Sequence, residues 1–298
     1  MNGIINIYKE AGYTSFDVVA KMRGILKTRK IGHTGTLDPA ATGVLPVCVG
    51  NATRAVEFLA DHDKEYVAEL LLGITTDTLD TTGQVLATSP VSCDESEVIK
   101  AVLSFLGISE QIPPMYSAVK VDGKRLYELA RAGKEVERKP RTIKISEIEV
   151  LSVCLPVVRF RVVCSKGTYI RSLCQDIGEK LGCGGCMQSL ERTRVGGFSK
   201  ETAVTLEELE RHRDAGTLDQ VVLGVDQVFS SLTAERLREE FSRIADNGNK
   251  LKPDMLVQSR KFDEGEKVRL YRWDGFFYGI YVFRAQDNVL KPVKLFLA

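Results

Sequence analysis

The chain has 298 residues, 44% hydrophobic content and a formal net charge of +1, which predicts one large domain with a normal core plus a small one. It holds no apolar run of about eighteen residues and no apolar segment behind an N-terminal basic cluster, so a soluble, cytoplasmic protein without a membrane span is expected. Seven cysteines, an odd number scattered along the chain, argue against a disulfide framework and for reduced core residues.

The apolar run Gly3-Ile4-Ile5-Asn6-Ile7-Tyr8 predicts a strand over residues 2–9, followed by a turn that ends at Gly12. Thr14-Ser15-Phe16-Asp17 supplies a capping box for a helix whose apolar stripe is Phe16, Val19, Met22 and Leu26. Lys21, Arg23, Lys27, Arg29 and Lys30 follow one another with no acid between them and lead into Gly32.

Residues 32–47 carry three glycines and two prolines, which predicts a shaped loop rather than a helix or long strand. Asp38 is its only charged side chain, and Pro39 biases that aspartate toward extended backbone. A carboxylate on a stiff loop with His33, Thr34 and Thr36 suits a positioned nucleophile or acid/base. The same composition also suits a structural turn in which Asp38 caps its own backbone.

A strand at 45–49, a helix at 51–60 and a strand at 64–72 come next, the last with Tyr66, Ala68, Leu70 and Leu72 on one face. The polar turn 75–83 offers Asp77 and Asp80 as the nearest candidates for a second carboxylate, ahead of a strand at 84–87. Ser92 with Glu95 predicts a helix cap, Val98, Ala101, Val102, Phe105 and Leu106 its core stripe, and Gly107 its end. From Lys120 to Lys144 nine basic residues face four acids, in a segment broken by Pro113-Pro114 and Lys139-Pro140 with a weak helix at 125–132. Basic segments on both sides of the Asp38 loop suit phosphate contacts.

Strands are expected at 143–150 and 157–164, and Ser165-Lys166-Gly167-Thr168 turns the second into a helix ended by Gly182. Arg171 stands at the start of that helix, where a cation opposes the dipole and needs an anion such as a phosphate or Asp38. Cys183-Gly-Gly-Cys186 has half of a zinc-site spacing, but no second pair accompanies it, so no metal is expected. Glu191-Arg192-Thr193-Arg194 suggests a basic turn ending the core, and Thr205 with Glu208 a further short helix. The last seventy or so residues form a unit of their own: a helix with Leu237, Phe241 and Ile244, then strands 267–273 and 276–283 joined at Asp274-Gly275.

Five motifs in this order resemble one known family. They are Gly32-His33-Thr34-Gly35-Thr36-Leu37-Asp38-Pro39 with Ala41-Thr42-Gly43; Lys64-Glu65-Tyr66; Thr76-Asp77-Thr78 with Asp80; Ile112-Pro113-Pro114 with Ser117-Ala118-Val119-Lys120; and Ser165 through Arg171. Together they look like the TruB family of tRNA pseudouridine synthases, and the C-terminal unit resembles a PUA domain. Lys9-Glu10 stands where the family usually has Lys-Pro, and Cys186 where a histidine is common.

The resemblance implies an α+β pseudouridine synthase fold, with a central mixed or antiparallel sheet flanked by helices. The implied division is a catalytic domain over 1–228, with an RNA-clamping insertion at about 113–141, and a PUA-like RNA-binding domain over 229–298. It implies a cytoplasmic monomer that isomerises uridine 55 in the T-stem loop of tRNA by base flipping, without cofactor or metal. Asp38 would be the catalytic carboxylate, oriented and held ionised by Arg171. Tyr66 would stack on the target base, and His33 would fill the space the base leaves. Lys166, Tyr169 and Leu190 would line the pocket, and Arg141 would contact RNA. Two rivals remain open: a non-catalytic RNA-binding protein, and a glycoside hydrolase pairing Asp38 with Asp77 or Asp80.

Overall fold

A computed structural model describes residues 1–121 and 123–297. Asp122, one of the four acids counted above, lies outside the described residues, as does Ala298.

The first strand, β1 (Gly3–Lys9), leads through a turn to helix α1 (Ser15–Leu26), which Thr14 and Asp17 cap reciprocally as expected. The buried face of α1 differs from the predicted stripe: Val18, Val19, Met22 and Ile25 go inward, and Phe16 is 63% exposed. Residues 32–47 are only partly loop. Their ends form strands β2 (Ile31–His33) and β3 (Thr42–Val49), and residues 34–41 are the loop proper. Pro46 is tolerated in β3 because it lies past the pairing with β12, which covers only Thr42 and Gly43, and just beyond the last β2 pair, His33 with Val47, where its carbonyl still accepts from the Thr34 N–H.

The predicted helix at 51–60 divides into a 3₁₀ turn (Gly50–Ala55) and a short helix, α2 (Val56–Ala60). Strand β4 (Lys64–Leu72) buries every second residue, including Tyr66, as its alternation predicts. A small hairpin of β5 (Ile74–Thr76) and β6 (Val85–Thr88) precedes helix α3 (Glu95–Leu103). The cap of α3 is Asp94 with Glu97 rather than Ser92 with Glu95; the carboxylate accepts from the Glu97 N–H. Gly107 opens an edge strand, β7 (Gly107–Gln111), rather than merely ending the helix.

The basic excursion holds a tight hairpin, β8 (Lys120–Val121) and β9 (Lys124–Arg125), and helix α4 (Leu126–Arg131), close to the weak helix predicted there. Next come β10 (Arg141–Cys154), β11 (Val157–Cys164) and helix α5 (Ile170–Lys180). Residues 191–194 do not form a turn. They belong to β12 (Gly185–Val195), an interior strand between β3 and β4. Strand β13 (Phe198–Ser199), helix α6 (Leu206–Asp214) and strand β14 (Val222–Leu223) complete this part.

The large sheet runs β14-β1-β3-β12-β4-β11-β10-β7, antiparallel throughout except where β12 meets β3. One apolar cluster joins β4 and β11 to α5 through Leu70, Phe160, Leu173 and Ile177. A second joins β1 and β3 to α1 and α6 through Ile5, Val47, Met22 and Leu209. The loop 34–41 lies where these halves meet. Gly43, with φ +107°, is required at that seam, because a Cβ there would stand 2.2 Å from the Arg192 carbonyl oxygen. Gly43→Ala is therefore expected to destabilise the protein by about 2 kcal/mol or more, read as a lower denaturant midpoint at unchanged slope.

The C-terminal unit is a four-stranded sheet of β15 (Thr233–Arg236), β16 (Lys267–Tyr271), β17 (Phe277–Arg284) and β18 (Val289–Leu295). The helix expected around Leu237, Phe241 and Ile244 shrinks to a 3₁₀ turn and α7 (Ser242–Asp246). Leu237 pairs by a bridge with Leu256 instead, so its burial comes from strand-like contacts. Ala55, Phe229, Ile280 and Phe296 seal this sheet against the large domain.

Candidate active site

Asp38 is held by its neighbours in sequence. The Leu37 N–H donates to Ser15 Oγ at 2.8 Å, at the start of α1, and Leu37 itself is buried in the first core. On the other side, the Pro39 carbonyl accepts from the Gly12 N–H at 2.9 Å and from Lys9 Nζ at 3.2 Å. The backbone is thus fixed immediately before and after the aspartate, while the Asp38 side chain remains 38% exposed. A carboxylate anchored by backbone yet open to solvent can meet a substrate without first reorganising.

The strand-to-helix turn after β11 supplies the partner. Arg171 is 6% exposed and directs its Nε to Asp38 Oδ2 at 3.0 Å and its Nη2 to Asp38 Oδ1 at 3.4 Å. The same guanidinium donates to the Thr78 carbonyl at 2.9 Å and the Tyr116 carbonyl at 2.7 Å. Asp80 Oδ2 approaches Arg171 Nη1 at 3.8 Å. Arg171 therefore ties together the Asp38 loop, the polar turn after β5 and the basic excursion. Burial pushes the Asp38 carboxyl above the usual aspartate range, and the Arg171 charge pulls it back down.

Tyr66 is buried at the head of β4, and that burial raises its phenol above the ordinary value. His33, at the end of β2, is half-buried; burial, then the Arg192 charge, push its pKa down and favour the neutral ring. Tyr169 is the cap residue of α5, and its backbone N–H and carbonyl both bond the Gln111 side-chain amide. Leu190 is half-buried on β12 opposite Ala68 of β4, against the first core.

Two predicted residues lie apart from the Asp38–Arg171 pair. Lys166 is 62% exposed and bonds Asp61 Oδ1 at 2.6 Å. Arg141 is exposed at the start of β10, opposite Gln111 on the edge strand. Cys183 and Cys186 are buried, and among the described residues no group of three or more His, Cys, Asp or Glu side chains could hold a metal ion.

The sequence left two participants unassigned. Asp80 reaches Arg171 because its turn is stitched to β12 by the Met187 N–H to Leu79 carbonyl and Thr81 N–H to Met187 carbonyl bonds. Thr78 and Thr82 hydroxyls bond its Oδ1, an Asx-type signature already present in Thr78-Leu-Asp80-Thr-Thr82. Arg192 stands under the loop: its Nε donates to the Val44 carbonyl at 2.7 Å and its Nη2 to the Gly35 carbonyl at 3.2 Å.

Comparison with known proteins decides the family. Residues 23–170 match the model for the N-terminal domain of TruB family pseudouridylate synthase, and residues 171–230 match that for the tRNA pseudouridylate synthase B C-terminal domain. A protein of Lachnoclostridium phytofermentans named tRNA pseudouridine synthase B is 52% identical, with all of both chains covered. The chain belongs to the TruB family.

A second relative of that name, from Alkaliphilus oremlandii, is 45% identical over 99% of this chain and 97% of its own. The family fold extends to solved structures. A Cbf5-Nop10-Gar1 complex contains a chain with a TM-score of 0.74 and 30% identity, covering 99% of this chain and 85% of that one. An H/ACA RNP bound to a substrate RNA containing 2′-deoxyuridine matches at a TM-score of 0.74 and 27% identity, over the same shares. TruB members are pseudouridine synthases, which are isomerases. Among the described residues no helix is long and apolar enough to cross a membrane.

Proposed function

We propose that this enzyme converts uridine to pseudouridine at position 55 in the T loop of tRNA, with Asp38 as the catalytic carboxylate. The observation that carries the reading is Asp38 itself: one partly exposed carboxylate, braced through Leu37 and Pro39 and held by a buried arginine. The names of the full-length relatives support tRNA as the substrate.

The reaction breaks the N1–C1′ bond, turns the freed uracil and joins C5 to C1′. The proton on C5 leaves and N1 takes one up, so the net change is an isomerisation. Asp38 serves either by attacking covalently or by assisting proton removal from the sugar. The target base must leave the loop stack, at a cost of roughly a few kcal/mol. A neutral His33 suits filling the gap, since it carries no charge into a stacked, desolvated space. Tyr66 suits stacking on the flipped base beside Asp38.

Residues 113–141 act as the clamp. Their Tyr116 carbonyl already accepts from Arg171, and Arg138 Nη1 donates to the Pro113 carbonyl, which ties the excursion back to its own root. The catalytic domain spans 1–228 and the RNA-binding unit 229–298, in a cytoplasmic monomer. Lys166 and Arg141, exposed and away from Asp38, serve as RNA contacts in this reading, with Tyr169 and Leu190 at the pocket wall.

Nucleoside analysis of an unmodified tRNA transcript tests the assignment. Pseudouridine should form at position 55 and vanish when that uridine is replaced by cytidine; product elsewhere would refute the position, and free uracil would favour a hydrolase using Asp80. Binding should also weaken as salt rises. A log–log slope of about −3 or steeper is expected from the two basic segments, and a slope near zero would remove their phosphate role.

A further inference from the structure

Arg192 is only 1% exposed, in the interior of the large sheet. Its two carbonyl acceptors, Gly35 and Val44, belong to the two sides of the segment that carries Asp38. Pairing along β12 sets Arg192 opposite Gly43 of β3 and opposite Tyr66 of β4. One side chain therefore spans the entry to the catalytic loop, its exit and the strand position of the stacking tyrosine.

Its charge is unusual for such a place. Among the described residues no ion pair joins this guanidinium to a carboxylate, its hydrogen bonds going to the Val44 and Gly35 carbonyls; burial pushes its pKa down, with the Tyr66 hydroxyl as the neighbour that favours the cation. Lys9 and Lys64 are also buried nearby; burial lowers each to about 8, and the Arg192 charge adds to the effect on both. A buried cation without an anion costs stability, and an apolar side chain of similar length would fill the same space without that cost. Packing alone does not account for an arginine here. What arginine adds is a rigid planar fork able to hold two carbonyls and face a phenol at once.

We propose that Arg192 is a positioning residue of this active site: it holds both ends of the Asp38 segment and the Tyr66 ring in one fixed arrangement, without touching substrate. The inference rests on the reading of Asp38 and Tyr66 given above. It predicts a defect in the chemical step rather than in binding, because displacing a reacting group by about 1 Å costs on the order of 10²-fold in rate.

The test uses full-length Arg192→Lys and Arg192→Met on an unmodified tRNA transcript, with single-turnover rate, tRNA dissociation constant and thermal unfolding measured for each. Arg192→Lys keeps the charge and loses the fork. It is expected to unfold cooperatively, to bind tRNA within about threefold of the parent, and to react about 10²-fold more slowly. Combined with Tyr66→Phe, the two losses should be less than additive, since both act on one arrangement. A folded Arg192→Lys reacting within threefold of the parent would overturn the proposal. So would a matching loss of tRNA affinity, full additivity with Tyr66→Phe, or failure of both variants to unfold cooperatively, which would make Arg192 a structural prop. Parent enzyme run in parallel separates the two readings: no product there strikes the assigned function, whereas an active parent with an equally active variant strikes this inference.

Discussion

Asp38→Asn is expected to lower the single-turnover rate of pseudouridine formation by about 10⁴-fold or more, with tRNA affinity kept within about threefold. The substitution keeps the size and one acceptor oxygen of the side chain, and the anchors at Ser15, Gly12 and Lys9 act on the backbone of Leu37 and Pro39 rather than on the carboxylate. Arg171 retains the Thr78 and Tyr116 carbonyls and the nearby Asp80, so the fold should survive. What is removed is the carboxylate assigned to attack or to take a proton. Binding energy from the basic segments is untouched, which is why rate and affinity should separate. A parallel fall in both would mean that Asp38 organises RNA binding instead.

Arg171→Ala should produce the second largest loss, about 10²- to 10³-fold in rate, and should also change the pH dependence. Burial raises the Asp38 pKa, and Arg171 is the strongest influence pulling it down. Removing the arginine therefore raises that pKa further. Less of Asp38 is ionised at a given acidic pH, and the acidic limb of the pH–rate profile moves to higher pH. This limb can be read on folded protein. A carboxyl whose folded-state pKa exceeds its unfolded value contributes stability that is present below the unfolded pKa and lost as pH rises through the folded one, so protonating Asp38 does not itself unfold the chain. A profile that keeps its acidic limb in place in Arg171→Ala would contradict the pairing. Arg171→Lys should rescue little, because a single ammonium cannot hold Asp38, Thr78 and Tyr116 together.

Strand β4, the cap of α1 and the turn into α5 were legible because short-range rules govern them: alternation, a reciprocal cap, a glycine-bearing turn. The C-terminal hairpin was legible in place but not in length: its strands end at Tyr271 and start at Phe277, and the Arg272 N–H to Phe276 carbonyl and Gly275 N–H to Arg272 carbonyl bonds close a connection longer than the two residues Asp274-Gly275. Strand β12 was not. Its register breaks at Met187/Ser189 and at Arg192/Arg194, and each bulge shifts the two-residue period that marks a strand. The remaining pattern, Gln188-Ser189-Leu190-Glu191-Arg192-Thr193-Arg194, resembles a polar turn. Polarity also misleads at Arg192 itself, since charged residues are rarely buried without a partner ion, and here carbonyl oxygens from distant segments do the pairing. Helix α1 shows the converse error. Phe16 fits a helical stripe by spacing, yet Val18 and Ile25 occupy the face that meets β1 and β3.

Within the site, local sequence marked Asp38 as a held carboxylate or a turn, and marked Arg171 as a cation needing an anion. Their meeting is a tertiary fact. Lys166 shows why charge and position alone are insufficient: it stands in the same turn as Arg171 but faces Asp61. Asp80 was visible only as one of two candidate acids until its turn was seen docked on β12 through Leu79 and Thr81.

The central claim, that one carboxylate on a braced loop isomerises a tRNA uridine, is tested most directly by tritium release. A tRNA transcript labelled at C5 of uridine loses its label only when C5 bonds to the sugar. The parent enzyme should release one equivalent per tRNA, and Asp38→Asn, at equal tRNA occupancy, should release essentially none on the same time scale. Normal release from the Asp38→Asn enzyme would contradict the account.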